Sequence, residues 1–162
     1  GYYLLISSAA ALATMPGLSA YAASKAGVEF FGNALRLGLA HLGVRVGVAH
    51  PCWVDTDLVN DLRHELGSFD RMLRALPGPF GTVTPVGECA DALVRAIETR
   101  KRKVFIPRSL ASLAAIRQLF MSPLSEFVMK RRAREAIPEV EREMKALGRA
   151  FGRSSVGMGK EK

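Results

Sequence analysis

The sequence predicts an α/β fold, the C-terminal part of a doubly wound parallel sheet followed by a helical C-terminal extension. Residues 2–8 (YYLLISS) form a continuous apolar run, which is typical of a strand covered on both faces. Residues 19–42 repeat apolar side chains at helical spacing, and residues 44–50 (VRVGVAH) alternate valine with other residues. A strand, a helix and a strand in this order form one crossover, which predicts a parallel sheet.

The predicted helix over residues 19–42 has an apolar stripe and a suitable end. Gly43 follows it, and glycine most readily takes the left-handed conformation that closes a helix. The residues that recur at helical spacing and give the helix an apolar side are Ala22, Ala26, Phe30 and Leu37.

A long loop-like segment follows the second predicted strand, and a helix and a third strand come after it. Residues 51–83 contain only short helical pieces, which is typical of a lid or a substrate loop. Thr84 and Pro85 predict the start of another helix, with Thr84 as its N-cap, and this helix reaches about Thr99. Residues 103–107 (KVFIP) form a third predicted strand.

Two more helices are predicted beyond the third strand, over residues 109–121 and 123–150. The sequence therefore divides into a sheet-containing domain, a helical basic extension and a disordered tail. Their predicted limits are residues 1–107, 108–150 and 151–162.

The net charge of +8 is concentrated in the C-terminal third. Lys and Arg minus Asp and Glu amount to −2 in residues 1–99 and to +10 in residues 100–162. A basic segment can meet nucleic acid, acidic lipid headgroups or an acidic partner. Few aromatic residues lie among the basic ones, which argues against nucleic acid as a partner.

Peripheral membrane contact through residues 109–134 is one of two interpretations of this basic segment. Apolar residues recur there at helical spacing and are followed by four basic ones, as in a helix lying on an anionic membrane. The alternative is a helix that packs on the domain or closes the substrate loop. No stretch is long and apolar enough to span a membrane.

The cysteines and histidines indicate no metal site. Cys52 and Cys89 lack ligand spacing and are expected to be reduced thiols of a cytoplasmic protein. The three histidines share no spacing, and a satisfied structural role is the expected one for His50. Trp53 is equally compatible with lining a substrate pocket and with packing.

Residues 19–27 (SAYAASKAG) carry the clearest chemical signal. Tyr21 and Lys25 are four residues apart, so both side chains leave the same face of the helix. A nearby ammonium favours the phenolate, which makes the hydroxyl able to give and take a proton near neutral pH. Ser8 ends the first strand, and strand ends and helix starts converge at the edge where parallel sheets bind ligands.

This arrangement resembles the active site of the short-chain dehydrogenase/reductase family. The resemblance rests on Ser8, on the Tyr-x-x-x-Lys of Tyr21 and Lys25 thirteen residues later, and on a strand end similar to the family's Pro-Gly-x-Val-x-Thr. The matching residues of that strand end are Pro51, Val54 and Thr56, with Cys52 in place of the glycine.

The resemblance implies hydride transfer between NAD or NADP and a carbonyl or alcohol. Tyr21 would be the general acid–base, Lys25 would bind the nicotinamide ribose, and Ser8 would orient the substrate carbonyl. The cofactor-binding residues would be Tyr21 and Lys25 together with those of the strand end, Pro51, Val54 and Thr56. Residues 1–107 would be the C-terminal half of a Rossmann-like catalytic domain.

The family's Gly-rich turn and the residue that sorts NAD from NADP do not occur in this sequence. Because the chain starts at Gly1 and immediately reads as a buried strand, we expect the N-terminal cofactor-binding half to lie upstream.

Several alternatives to a whole enzyme stay open. The chain could be a non-catalytic remnant that acts by binding or dimerising, with an apolar face on residues 28–39 against a second copy. A serine hydrolase using Ser8 and Lys25 is a weaker alternative, since no nucleophile elbow is present. Apolar residues in 57–83 favour a hydrophobic carbonyl or alcohol as substrate. A homo-oligomer is expected for the full-length protein.

Overall fold

The computed structural model describes residues 1–13, 17–76, 78–117 and 122–147. Within them the strands are Tyr2–Ile6 (β1), Arg45–Pro51 (β2), Trp53–Val54 (β3), Val83–Thr84 (β4) and Lys103–Ile106 (β5). The helices are Ser19–Gly38 (α1), Asp57–Glu65 (α2), Gly67–Ala75 (α3), Val86–Glu98 (α4), Leu110–Ala115 (α5) and Pro123–Leu147 (α6). Short 3-10 turns cover Ala9–Ala11, Ala40–Leu42 and Gly78–Gly81.

The main sheet has three strands in the order β1-β2-β5, and all of them are parallel. Leu5 is the register partner of Val48, and His50 is the partner of Phe105. The predicted parallel crossover is therefore confirmed, because α1 connects two adjacent parallel strands. The sequence did not predict the second, two-stranded parallel ladder, in which β3 pairs with β4.

Successive residues of β2 contact different neighbours on the two faces of the sheet. Val48 faces α1, where a Cβ added to Gly32 would lie 2.6 Å from its Cγ2 atom. Gly47 points to the other face, where a Cβ would meet the Tyr2 hydroxyl and the backbone oxygen of Lys101. Both faces of β2 are covered in this way, as the prediction of a doubly wound sheet requires.

Gly47→Ala is expected to reduce the free energy of unfolding by about 1 to 2 kcal/mol, because overpacking a tight site forces its neighbours apart. The added carbon would lie 2.3 Å from the Lys101 oxygen, a backbone atom that cannot rotate away. Urea unfolding measures the loss. Gly87→Ala in α4 is the matched control, since a Cβ there meets nothing within 4 Å. Equal stability of the two variants would contradict the close packing described.

Much of the apolar side of α1 is exposed. Phe30 and Leu37 are 69% and 79% exposed, whereas the buried residues of the helix are Ala22, Glu29 and Gly32. The reason is the close approach of the helix to β2, which admits small side chains and excludes large apolar ones. The regular helix also ends at Gly38, and Gly43 closes the following 3-10 turn with a φ of +64°.

The prediction that β1 is covered on both faces was also wrong for the described residues. Tyr3 is 57% exposed and Ile6 is 44% exposed. β1 lies at one end of the strand order, so it has a single strand neighbour. Thr84 belongs to β4 and does not cap α4, because Pro85 occupies the N-cap position of that helix.

The described part of the helical extension packs on the rest of the chain. Leu110 of α5 is fully buried. α6 lies against α3, where the guanidinium of Arg71 pairs with Glu139 at 2.6 Å and Ser68 donates to the carboxylate of Glu143. The predicted tail, 151–162, lies outside the described residues. Among the described helices, none combines the length and the hydropathy needed to cross a bilayer.

Candidate functional site

Ser8 lies directly beyond the carboxyl end of β1 and is 8% exposed. Its Oγ accepts a hydrogen bond from the backbone N–H of Ala10 at 3.1 Å, which caps the 3-10 turn that follows. The capping bond fixes the serine side chain. Since the hydroxyl oxygen acts there as an acceptor, its own hydrogen is left to be donated to a ligand.

Lys25 brings α1 onto the same end of the sheet. Its ammonium donates to the carbonyl of Ile6 at 3.2 Å, two residues before Ser8. The hydroxyl of Ser7 in turn donates to the backbone carbonyl of Lys25 at 2.7 Å. These two bonds fasten the first turns of α1 to the carboxyl end of β1.

Tyr21 lies one turn before Lys25 on α1 and is 45% exposed. The ammonium of Lys25 lies 5.7 Å from the centroid of the tyrosine ring, within the range of a cation–π contact. The two side chains therefore share one face of the helix, as their spacing predicts. Ser8, Tyr21 and Lys25 all belong to the segments that meet at the carboxyl end of β1.

The end of β2 lies beside β5. Pro51 is half-buried and is the register partner of Ile106, and the backbone N–H of Cys52 donates to the Ile106 carbonyl at 2.8 Å. Cys52 is not among the described residues with positive φ, so the backbone there does not require a glycine. Burial raises the pKa of the Cys52 thiol to about 11, against a smaller lowering by the Trp53 N–H.

Val54 and Thr56 follow in β3 and at the start of α2. Val54 pairs with Thr84 in the small ladder, and its carbonyl accepts from the backbone N–H of Thr56 at 2.7 Å. Thr56 is the exposed N-cap residue of α2 and makes no side-chain capping bond. Its hydroxyl donates to the Val54 carbonyl at 3.4 Å.

Trp53 packs within its surroundings. Its indole N–H donates to the carbonyl of Phe80 at 2.8 Å, and its ring meets Phe69 edge-on at 5.2 Å. These contacts favour packing over pocket lining, the two functions that the sequence left open. They tie the end of β2 to the segment with α2 and α3.

A buried cluster of charges lies next to this site, and the sequence did not reveal it. Glu29 is one turn beyond Lys25 and only 3% exposed. Its carboxylate lies 3.3 Å from the ammonium of Lys103, 3.2 Å from the guanidinium of Arg117 and 3.7 Å from the imidazole of His50. The cluster connects α1, β2, β5 and Arg117, which lies two residues beyond α5. The position of Glu29 in the sequence could have indicated this burial. Glu29 is seven residues after Ala22 and three before Gly32, so it lies on the same side of α1 as these small residues.

His50 is fully buried at the carboxyl end of β2 and stacks on Phe105 at 5.1 Å. Neither ring nitrogen has a hydrogen-bond partner in the described part of the chain, so the expected satisfied histidine is not what the structure shows. Burial lowers the pKa of His50, Lys103 lowers it further, and Glu29 acts in the opposite direction.

A cavity of about 260 Å³ lies between α4 and the end of β5, and its wall includes Phe105, which stacks on His50, and Ile106, the register partner of Pro51. It contains none of the predicted catalytic side chains. Its lining residues are Thr84, Glu88, Ala92, Arg95, Phe105, Ile106, Pro107 and Arg108. Within the described ranges no group of three or more potential metal ligands is assembled.

Residues 1–67 match the family model described as short chain dehydrogenase. A short-chain dehydrogenase, RED2, of Pyricularia oryzae is 30% identical over 94 residues, which is 58% of this chain and 34% of that protein. The 3-oxoacyl-[acyl-carrier-protein] reductase of Bos taurus is 32% identical over 97 residues, 59% of this chain and 39% of that protein. The chain thus spans between a third and two fifths of the length of these relatives.

Two solved structures are similar to parts of this chain. The reductase LugOII, described as catalysing keto-reduction in lugdunomycin biosynthesis, has a TM-score of 0.50 at 20% identity over 65% of this chain and 42% of that one. A short chain dehydrogenase from Burkholderia cenocepacia, solved with NADP, has a TM-score of 0.49 at 25% identity over 76% and 48% of the two chains. The matched segment contains Ser8, Tyr21, Lys25 and the end of β2, so the part of the chain that carries the predicted site is similar to short-chain dehydrogenases.

Proposed function

We propose that the protein carrying this chain is an NAD(P)-dependent oxidoreductase that interconverts a carbonyl and an alcohol. One observation carries the proposal. The ammonium of Lys25 is held between the Tyr21 ring and the carbonyl of Ile6, beside the serine that ends the same strand. A phenol, an ammonium and a serine hydroxyl at one sheet edge suit proton transfer to a polarised carbonyl oxygen.

In this proposal Tyr21 gives a proton to the carbonyl oxygen during reduction and takes it back during oxidation. Ser8 donates its hydroxyl hydrogen to the same oxygen and orients it. Lys25 keeps a positive charge beside the phenol, which favours the phenolate left after proton transfer. Hydride transfer is the chemistry that a nicotinamide nucleotide would supply when held beside these residues.

The residues present fit a nicotinamide nucleotide. The ammonium of Lys25 spends one of its donors on the Ile6 carbonyl, so others are left for ribose hydroxyls. The exposed side of α1 next to Tyr21 carries the small residues Ala20, Ala23 and Ser24, which leave room for a flat ligand. Pro51, Val54 and Thr56 are the residues we propose to hold the nicotinamide end. NAD and NADP both remain compatible with these residues.

We further propose a hydrophobic substrate and a homo-oligomer. Leu58 in the predicted substrate segment is 44% exposed, and neighbouring apolar side chains are half-buried. On α1, Phe30, Phe31 and Leu37 are 69%, 59% and 79% exposed. Large exposed apolar side chains on one helix are typical of a surface that packs against another subunit. That surface is also what favours the second candidate function, a binding or dimerising module without catalysis.

The test is consumption of NADH or NADPH by the protein carrying this chain, followed by absorbance with a panel of apolar ketones and aldehydes. Ser8→Ala is expected to lower kcat about 10²- to 10³-fold, because it removes a hydrogen bond to the reacting oxygen. Ser112→Ala is the matched control, since this exposed serine of α5 bonds only within its own turn. Absence of turnover from a folded dimer would favour the non-catalytic alternative.

A further inference from the structure

We propose that the outward face of α6 binds the surface of an anionic membrane. The outward face consists of residues spaced three, four, three, eight and three apart, which places them on one side of the helix. They are Leu124, Phe127, Arg131, Arg134, Arg142 and Lys145.

The opposite side of α6 is the one that packs on the protein. Arg71 of α3 reaches Glu139 at 2.6 Å and Glu143 at 3.7 Å, and Ser68 also donates to Glu143. Two acidic side chains of α6 are thus directed at α3 and paired there. This arrangement leaves the outward face to solvent, and every member of it is exposed.

The outward face combines two kinds of side chain. Leu124 and Phe127, at the amino end, are 75% and 69% exposed. The remaining four members are cationic, and the acidic residues next to them in sequence are Glu135, Glu141 and Glu143, of which Glu143 is paired with α3. Nearby, the carboxylate of Glu126 is already paired with Lys130 at 2.6 Å. The face is therefore apolar at one end and strongly basic along the rest.

This combination fits a lipid surface better than the other anionic partners. Basic side chains are attracted to anionic headgroups, and a leucine and a phenylalanine can enter the boundary between headgroups and acyl chains. A nucleic-acid backbone offers the cations the same attraction but gives the two apolar side chains no apolar environment. The sequence beyond α6, residues 148–162, adds four basic residues and one acidic one.

The structure restricts the predicted membrane-binding segment to α6. The stretch 109–134 included α5, but Leu110 of α5 is fully buried and Arg117 is paired with Glu29. α5 therefore belongs to the body of the domain. The surface available to a membrane is the outward face of α6.

Sedimentation with vesicles tests this inference and does not depend on enzymatic activity. Its outcome is therefore independent of the proposed oxidoreductase function. The protein is expected to bind phosphatidylcholine vesicles containing phosphatidylglycerol at low salt, and to bind pure phosphatidylcholine much less. Arg131→Gln/Arg134→Gln should weaken binding about 25-fold, since each cation near an anionic surface contributes roughly fivefold. Leu124→Ser/Phe127→Ser should weaken it at least as much.

Two control variants distinguish binding through the outward face of α6 from attraction by the net positive charge of the whole chain. Arg45→Gln/Arg108→Gln removes the same charge from two exposed arginines outside α6 and should change binding less than threefold. Val94→Ser removes an exposed apolar residue of α4 and should have no effect. The inference is overturned by absence of binding to anionic vesicles, or by equal losses in the α6 and control variants. A second result would also overturn the inference. If the Leu124→Ser/Phe127→Ser variant still binds vesicles, and the protein binds polyglutamate or RNA equally well, the partner is a soluble polyanion.

Discussion

Tyr21→Phe is expected to lower the rate of NAD(P)H-dependent carbonyl reduction about 10²- to 10⁴-fold, the range that a positioned general acid contributes. The substitution deletes only the hydroxyl oxygen. The ring keeps its place beside the Lys25 ammonium, and the backbone carbonyl of Tyr21 keeps its bond from the Ser24 hydroxyl at 2.7 Å. Since the side chain is 45% exposed, its hydroxyl contributes little to folding.

Stopped-flow and steady-state absorbance of NADH or NADPH measure this effect, together with the dissociation constant of the cofactor. We expect kcat to fall while cofactor affinity stays within about threefold, because the ribose contacts are assigned to Lys25. Tyr3→Phe is the matched control, because this tyrosine is 57% exposed and lies near the amino end of β1, whereas the site lies at the carboxyl end of that strand. A Tyr21→Phe variant that keeps full kcat would remove Tyr21 from the proposed mechanism.

The parts of the fold predicted correctly from sequence are those governed by local rules. The apolar run of β1 and the valines of β2 each follow from short-range chemistry, and the parallel crossover follows from their order. The Tyr21 and Lys25 pair is also local, because a four-residue spacing on a helix fixes which side chains meet. The contact between Lys25 and Ile6 agrees with the predicted convergence at the sheet edge.

The errors come from contacts between distant segments. Phe30 and Leu37 look like core residues by their spacing, but close packing against Val48 reserves the inner side of α1 for small residues. Glu29 looks like a surface residue by its charge, yet Lys103 and Arg117 are brought to it from 74 and 88 residues away. No local pattern could indicate partners at such separations.

Glu29→Gln is expected to lower the free energy of unfolding by about 2 to 4 kcal/mol at neutral pH. Removing one partner of a buried ion pair leaves its counterparts uncompensated, at a cost of about 3 to 5 kcal/mol when both are fully buried. Here the loss is smaller because the side chains of Lys103 and Arg117 are 39% and 28% exposed and can turn toward water. Urea unfolding measures the change, with Glu98→Gln at an exposed position of α4 as the matched control.

The loss should grow as the pH falls, and His50 gives the reason. Burial holds the pKa of His50 below its ordinary value, so the folded protein loses stability as the pH falls from about 6.5 toward that lowered pKa. Glu29 raises this pKa, so its removal lowers the pKa further and extends the loss to lower pH. The stability difference between Glu29→Gln and the parent should therefore stay constant above about pH 6.5 and widen as the pH falls through the lowered His50 pKa of the parent. NMR titration should show a lower His50 pKa in the variant, and an unchanged titration would mean that Glu29 does not act on the imidazole.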